Sequence, residues 1–290
     1  MKGLEFIQKK QVAWAISNGL VPVGSTFQNE GKKNYLEKLE DNLFLQRLTD
    51  KTQEQLNKGD GGELKPCCRK GKHYREKIKA LHSSAAIVVN TFDYWRNKDV
   101  YPILYACGLC EKDVQKNPIT HEIIFEDKRF KIINNRFSPN IDIVINNSVS
   151  TIYAIESKFT EPYNGRKQKK LNQYYYGHCS WDGLENLFDL AKKILLDNEK
   201  FKYLDAAQLM THILGLKKTG KEFRLLYLWY DVIGEDGVKH RKEIEEFARI
   251  VKKDNINFSH ITYQEMIMKL AQEFYIGNEE CFNYLKNRYL

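Results

Sequence analysis

The sequence predicts a mixed α/β protein, a central sheet with helices packed on both faces. Three observations carry this. FRLLYLWYD (223–231) is a near-continuous apolar run, the pattern of a strand covered on both sides. IDIVI (141–145) and TIYAIESK (151–158) are rich in β-branched residues and flank the turn-forming Asn146-Asn147-Ser148, so they predict neighbouring strands. Around them, apolar residues recur every three or four positions, the period of amphipathic helices.

In chain order, residues 1–75 are polar and rich in Lys and Gln, with turn residues at Lys58-Gly59-Asp60-Gly61-Gly62. They predict a helical N-terminal extension ending in an irregular basic connector, KPCCRKGKH (65–73). Residues 76–290 form the predicted core. Ile78, Leu81, Ala85, Val88, Val89 and Phe92 predict one helix from about Tyr74 to Trp95. HEIIFE (121–126) alternates weakly and is a further strand candidate. Leu184, Leu187, Phe188, Ala191 and Leu195 share one helical face, as do Ile244, Phe247, Ala248 and Val251 within 239–253. INFSHITY (256–263) predicts a last strand and QEMIMKLAQEF (264–274) a helix after it.

At 290 residues the chain can bury one large core, and 42% hydrophobic composition is ordinary for a globular protein. A net charge of +8 favours an acidic partner, nucleic acid being the commonest. A solvated, Lys-rich surface explains the charge equally well until a site agrees with it. MKGLEFIQKKQVAW has no long apolar run behind its basic residues, and no stretch approaches the roughly 20 apolar residues of a membrane span. A cytoplasmic protein with reduced thiols is the expectation for its six cysteines. Cys107-x-x-Cys110 invites a zinc reading with Cys67, Cys68 and His73 as partners. It lacks a second well-spaced pair and lies in YPILYACGLCEKD, which reads as the end of a buried helix, so buried thiols are expected.

The residues that carry chemistry are Asp142, in SPNIDIVI, and Glu156 and Lys158, in AIESKF. Strand period puts Glu156 and Lys158 on one face. If the two strands pair as a hairpin, two carboxylates and an ammonium converge. A phosphodiester is shielded by its own charge, so hydrolysis needs that charge neutralised and a water aligned. Mg²⁺ with hard oxygen ligands suits the task. Asp142 and Glu156 would supply ligands, the Ser157 main-chain carbonyl a third, and Lys158 would stand beside the attacking water. As an isolated string Glu-x-Lys is usually a solvated ion pair. Here it ends an apolar strand, and only thirteen residues separate Asp142 from Glu156.

This pattern resembles the PD-(D/E)xK nuclease superfamily, in the loosened form Pro139-Asn-Ile-Asp142 followed by Glu156-Ser-Lys158. LHSSAAIVVNTFDYW, IIFE, SPNIDIVI, AIESKFTEPY, LDAAQLMTHILGL, LLYLWYD and EIEEFARIV, in that order, are similar to a bacterial family of restriction endonucleases within it. The likeness runs from about residue 70 to 270. Residues 1 to about 65 carry none of these strings.

The resemblance implies a restriction-endonuclease-like mixed sheet flanked by helices and a Mg²⁺-dependent DNA endonuclease, with Mn²⁺ able to substitute. Asp142 and Glu156 would be metal ligands and Lys158 catalytic. Such families carry a further acidic residue on the first core helix, where this chain has Asn90. Glu126 is the expected substitute and Glu122 the second choice. Cutting both strands of a duplex generally calls for two active sites, so a homodimer is expected. A cognate DNA methyltransferase encoded nearby is the partner to look for.

After the Glu-x-Lys strand, FTEPYNGRKQKKLNQYYYGH puts Arg166, Lys167, Lys169 and Lys170 beside Gln173 and a tyrosine run, a combination suited to phosphates and bases. Lys72, in the earlier cluster Lys65, Arg69, Lys70, Lys72, His73, Arg75 and Lys77, is a further DNA-binding candidate. Solvated basic loops are the plain alternative for both. His82, His121, His212 and His260 stand singly in apolar or strand contexts and read as structural. Ser83 and Ser84 could hydrogen-bond near the site, though a packing role for small residues is the plainer reading, and Trp95, Trp181 and Trp229 read as core. Two other functions stay open. One is a nucleic-acid-binding protein that keeps the fold without turnover, and the other is a structure-specific repair nuclease.

Overall fold

The computed structural model describes all residues except 112–120, 134–136, 148–150, 166–169 and 198–200. Its elements are α1 (Gly3–Ser17), α2 (Asp50–Lys58), β1 (Cys67–Arg69), β2 (Lys72–Tyr74), α3 (Ser84–Phe92), α4 (Tyr101–Ala106), β3 (His121–Asp127), β4 (Ile141–Asn147) and β5 (Ile152–Lys158). Then follow α5 (Tyr174–His178), α6 (Glu185–Leu195), α7 (Ala206–Lys217), β6 (Phe223–Trp229), α8 (Glu235–Lys253), β7 (Phe258–Thr262), α9 (Tyr263–Glu273) and α10 (Glu279–Tyr289).

The centre is a five-stranded mixed sheet in the order β3-β4-β5-β6-β7. The first three strands run antiparallel, while β5–β6 and β6–β7 are parallel. Parallel neighbours need long crossovers. Helices α5 to α7 lie on the first crossover and α8 on the second. Side-chain alternation sorts the strands into two apolar layers. Ile143, Ile155, Leu226 and Leu228 pack with Phe92 of α3, Ile103 of α4, Met266 of α9 and Phe282 of α10. Val144, Ala154, Leu225 and Tyr227 pack with Leu187 of α6, Met210 of α7 and Phe247 of α8. This is the predicted α/β layer with helices on both faces.

Two local expectations are corrected. The helix expected from about Tyr74 begins only at Ser84. Ser83 caps it by accepting from the Ala86 amide, while Tyr35 bridges to Ala80 and holds the preceding residues extended. The periodic apolar residues before Ser83 are buried by that long-range pairing rather than by a helix. The supposedly irregular connector is instead an antiparallel ribbon, β1–β2, with Arg69 opposite Lys72. Its tip residues Lys70 and Gly71 have φ of +50° and +74°, the sign that a tight two-residue hairpin turn demands.

The N-terminal residues pack on the core at several points. Trp14 of α1 meets Tyr284 of α10 with ring centroids 5.9 Å apart. Leu43 and Leu56 join Ile78, Ala86 and Val89 in a small apolar cluster. Along the outer edge of β3, the Phe125 amide donates to Gln55 Oε1 of α2 at 3.1 Å. Arg96 donates to the Ile123 carbonyl at 2.6 Å. Among the described residues no helix is long and apolar enough to cross a membrane.

Candidate active site

The β4–β5 ladder pairs Val144 with Ala154 and Ile143 with Ile155. One step further along this register, Asp142 stands across from Glu156. Asp142 Oδ2 accepts from the Ser157 amide at 2.8 Å, which ties the carboxylate to the neighbouring strand. Ser157 Oγ in turn shares a 2.7 Å hydrogen bond with Tyr263 OH. The Lys158 ammonium donates to Glu156 Oε1. The hairpin therefore brings Asp142, Glu156 and Lys158 together. Asp142, Ser157, Lys158, Glu126 and Asn140 line a cleft of about 460 Å³. Glu156 lies beneath it, fully buried.

Glu126 reaches the cleft through a backbone irregularity. Ladder pairs flank it, Phe125 with Ile143 and Asp127 with Ile141, but at Glu126 itself φ is +54°. A left-handed glutamate costs roughly 1 kcal/mol, a strain of the kind that clusters at functional sites. Its carboxylate accepts from Asn140 Nδ2. Glu122 instead pairs with Lys51 at 2.5 Å in an exposed salt bridge. Asn90 is buried in a structural role: it accepts from the Phe44 amide at 2.8 Å and donates to Asn42 O and Tyr289 OH, each at 3.0 Å.

The electrostatics are unbalanced. Burial pushes Asp142 well above the usual carboxylate range, and the Glu156 charge adds to it. Burial likewise raises Glu156 to about 7 despite the pull of Lys158, and raises Glu126. Burial alone would lower the Lys158 ammonium, but the charges of Glu156 and Asp142 overcome this and hold it raised. One lysine thus faces three carboxylates in a poorly solvated place.

Sequence reasoning missed several residues here. His212 of α7 is 1% exposed, with Nδ1 3.4 Å from Glu156 Oε2, and neither atom has a hydrogen-bond partner. Burial pulls its imidazole down to about 3, so it is neutral. Its apolar surroundings in sequence concealed this placement. Glu161 accepts from the Phe159 and Thr160 amides at 3.0 Å and from Ser84 Oγ, joining the end of β5 to the start of α3. Glu63, raised by burial to about 7, lines the same cleft with Lys77. No short motif signals these residues, because the chain joins them only on folding.

Of the expected DNA contacts, Arg166, Lys167 and Lys169 lie outside the described residues. Lys170 bonds to Leu195 O at 3.0 Å and Asp197 at 2.7 Å, Gln173 is exposed beside α5, and Lys72 pairs with Glu30 at 2.7 Å. None of these three lines the cleft. Cys107 packs in the core, its thiol pushed up by burial, and Cys110 is raised to about 11. Among the described residues no three His, Cys, Asp or Glu side chains form a group that could hold a metal. The hard donors at the hairpin end are the Asp142 and Glu156 carboxylates and the Ser157 main-chain carbonyl.

An antiparallel meander continued by parallel strands, with helices on both faces, defines a restriction-endonuclease-like fold. The family described as Restriction Endonuclease associating with ARP matches residues 8–290, and the chain belongs to it. No curated protein and no solved structure matches the chain. The family match includes N-terminal residues that the quoted strings leave uncovered.

Proposed function

We propose that this restriction-endonuclease family member is a Mg²⁺-dependent enzyme that hydrolyses phosphodiester bonds of double-stranded DNA in restriction or phage defence. The observation that carries the reading is the meeting of Asp142, Glu156 and Lys158 at the end of one hairpin, with carboxylates in excess of cations. A hard divalent cation fits the donors: Asp142, Glu156 and the Ser157 carbonyl offer oxygens, and the buried Glu156 Oε2 has no hydrogen-bond partner. When bound, such an ion neutralises phosphate charge and acidifies water. The chain's own residues do the rest. The Ser157 amide orients Asp142, Lys158 holds a fixed positive charge against the scissile group, and Glu126 offers a carboxylate to a water. Mn²⁺ has the same preference for oxygen and would substitute. A homodimer, a cytoplasmic location and a DNA methyltransferase encoded nearby accompany this reading.

Plasmid incubated with the pure protein and Mg²⁺ should be cut, and Lys158→Ala or Asp142→Ala should remove the cutting, by about 10²–10³-fold or more. Binding without cutting in either Mg²⁺ or Mn²⁺ would make the protein a non-catalytic module. A preference for branched over linear duplex would make it a repair nuclease.

A pH dependence follows from the raised carboxyls. Folded Glu156 and Glu63 keep their protons up to about 7, whereas in the unfolded chain they release them near 4.5. Between these values these two groups hold more protons in the folded state, so their own contribution to stability falls as pH rises. His82, His212 and His240, lowered by burial to about 4, 3 and 3 from an ordinary 6.5, act in the opposite sense over much of this window, so the metal-dependent shift is the quantity to read. Mg²⁺ competes with protons at Asp142 and Glu156, so its stabilising shift should be larger at pH 8 than at pH 5.5. Calorimetry at the two pH values checks this, and an equal shift at both would count against those ligands.

A further inference from the structure

The β1–β2 ribbon has a composition that the fold itself does not require. Its residues Arg69, Lys70, Lys72 and His73 are exposed, and Lys65 precedes them. Arg69 and Lys72 stand directly opposite one another. Like charges so placed destabilise a strand pair, and among the described residues only Lys72 is offset by an ion pair, with Glu30 at 2.7 Å. Lys70 takes a left-handed conformation, φ +50°, at a turn position where Asn or Gly would be relaxed. Three cations are thus concentrated at one projecting tip against local preference.

The base of the ribbon, by contrast, is firmly held. Tyr74 bridges to Thr26, Phe27 donates to the His73 carbonyl at 3.1 Å, and Arg75 donates from its amide to Ser25 O at 2.9 Å. The Arg75 side chain is buried, bonded to Gly24 O at 3.1 Å and Glu37 at 2.7 Å. In sequence the ribbon leaves the molecule after Glu63 and returns before Lys77, and both of these line the cleft that holds Asp142 and Lys158. The Ile78 amide closes that gap by donating to Glu63 O at 3.2 Å. Tyr35, on the same cleft wall, is within electrostatic reach of Arg69. The ribbon therefore rises from the rim of the cleft.

We propose that the β1–β2 ribbon is a DNA-groove contact: Arg69, Lys70 and Lys72 grip the phosphates of a duplex laid across the cleft, with the Lys70-Gly71 tip in its groove. This rests on reading the cleft as the nuclease site. The major groove of B-form DNA, roughly 12 Å wide, admits a two-stranded ribbon, whereas that of an RNA duplex is too narrow and deep. A phosphate backbone supplies the anions that would relieve the Arg69–Lys72 repulsion.

The test compares the full-length protein with an Arg69→Ala/Lys70→Ala/Lys72→Ala variant. A control, Lys192→Ala/Lys193→Ala/Lys253→Ala, makes the same charge change at exposed positions of α6 and α8. Affinity for a labelled short DNA duplex is measured in Ca²⁺ between about 50 and 200 mM salt, with unlabelled RNA duplex as competitor. The ribbon variant should bind about 10–100-fold more weakly and lower the log–log salt slope by about 2–3, while the control stays within about twofold. Unchanged affinity and slope in the ribbon variant, an equal loss in the control, or RNA competing as well as DNA would overturn the proposal. If plasmid is cut but the ribbon variant binds normally, the ribbon proposal falls and the nuclease reading stands. If binding depends on the ribbon but no cutting occurs in Mg²⁺ or Mn²⁺, the reverse holds. Wild-type protein that does not bind duplex at all would end both.

Discussion

Asp142→Asn is expected to abolish cleavage and, in metal-free protein at pH 8, to raise the melting temperature. The opposite signs come from one cause. In the folded protein the Asp142 carboxyl is raised well above its ordinary range by burial and by Glu156, so ionising it at pH 8 works against the fold. Asparagine removes that charge and keeps an oxygen to accept from the Ser157 amide, now made at 2.8 Å. A gain of about 1–2 kcal/mol, worth a few degrees in a domain of this size, is the expected scale. Metal affinity should fall with the lost ligand, so Mg²⁺ should stabilise the variant less than the wild type. Differential scanning calorimetry with and without Mg²⁺, beside plasmid cleavage, checks each part. A variant that still cuts, or that melts below the wild type without metal, would contradict the assignment.

Arg288→Ala should produce the largest loss of stability. Arg288 of α10 is fully buried, yet among the described residues its guanidinium bonds to no carboxylate. Its guanidinium donates to Gln11 Oε1 at 3.0 Å, Asn42 O at 2.9 Å, Asn42 Oδ1 at 2.6 Å, Leu81 O at 3.2 Å and Tyr284 OH at 2.5 Å. It also lies 4.2 Å from the Trp14 ring centroid. One planar fork thus joins α1, the segment around Asn42 and the approach to α3. Alanine strands these five oxygen acceptors and leaves a cavity, a loss of about 3–5 kcal/mol. Lysine cannot reproduce the fork, so Arg288→Lys should recover little of it. Urea unfolding measures both; a loss below about 1 kcal/mol for alanine would show that the network contributes little.

Much of the β4–β5 hairpin was legible because its information is local. β-branched residues, a turn between them and an acidic residue on each strand fix which side chains meet, and the observed register agrees. The place of Glu126 at the cleft was also legible in part, as it ends a readable strand, although its positive φ was not. Asn90 shows the limit of pattern matching: it occupies the expected helix, but long-range contacts with Phe44 and Tyr289 decide what it does. His212, Glu63, Glu161 and Arg288 were not legible as partners, since each meets its neighbours across long stretches of chain. The late start of α3 has the same origin, with Tyr35 and Ala80 pairing where periodicity alone favours helix.

The side-chain seal along β3 bears on how copies of this chain can assemble. The Phe125 amide is taken by Gln55 and the Ile123 carbonyl by Arg96, so the middle of that margin is partly closed to an incoming strand. Edge-to-edge stacking there, into either an extended dimeric sheet or an aggregate, would first have to expel two seated side chains. Copies of this chain would meet without that cost through helices, loops or the opposite margin of the sheet.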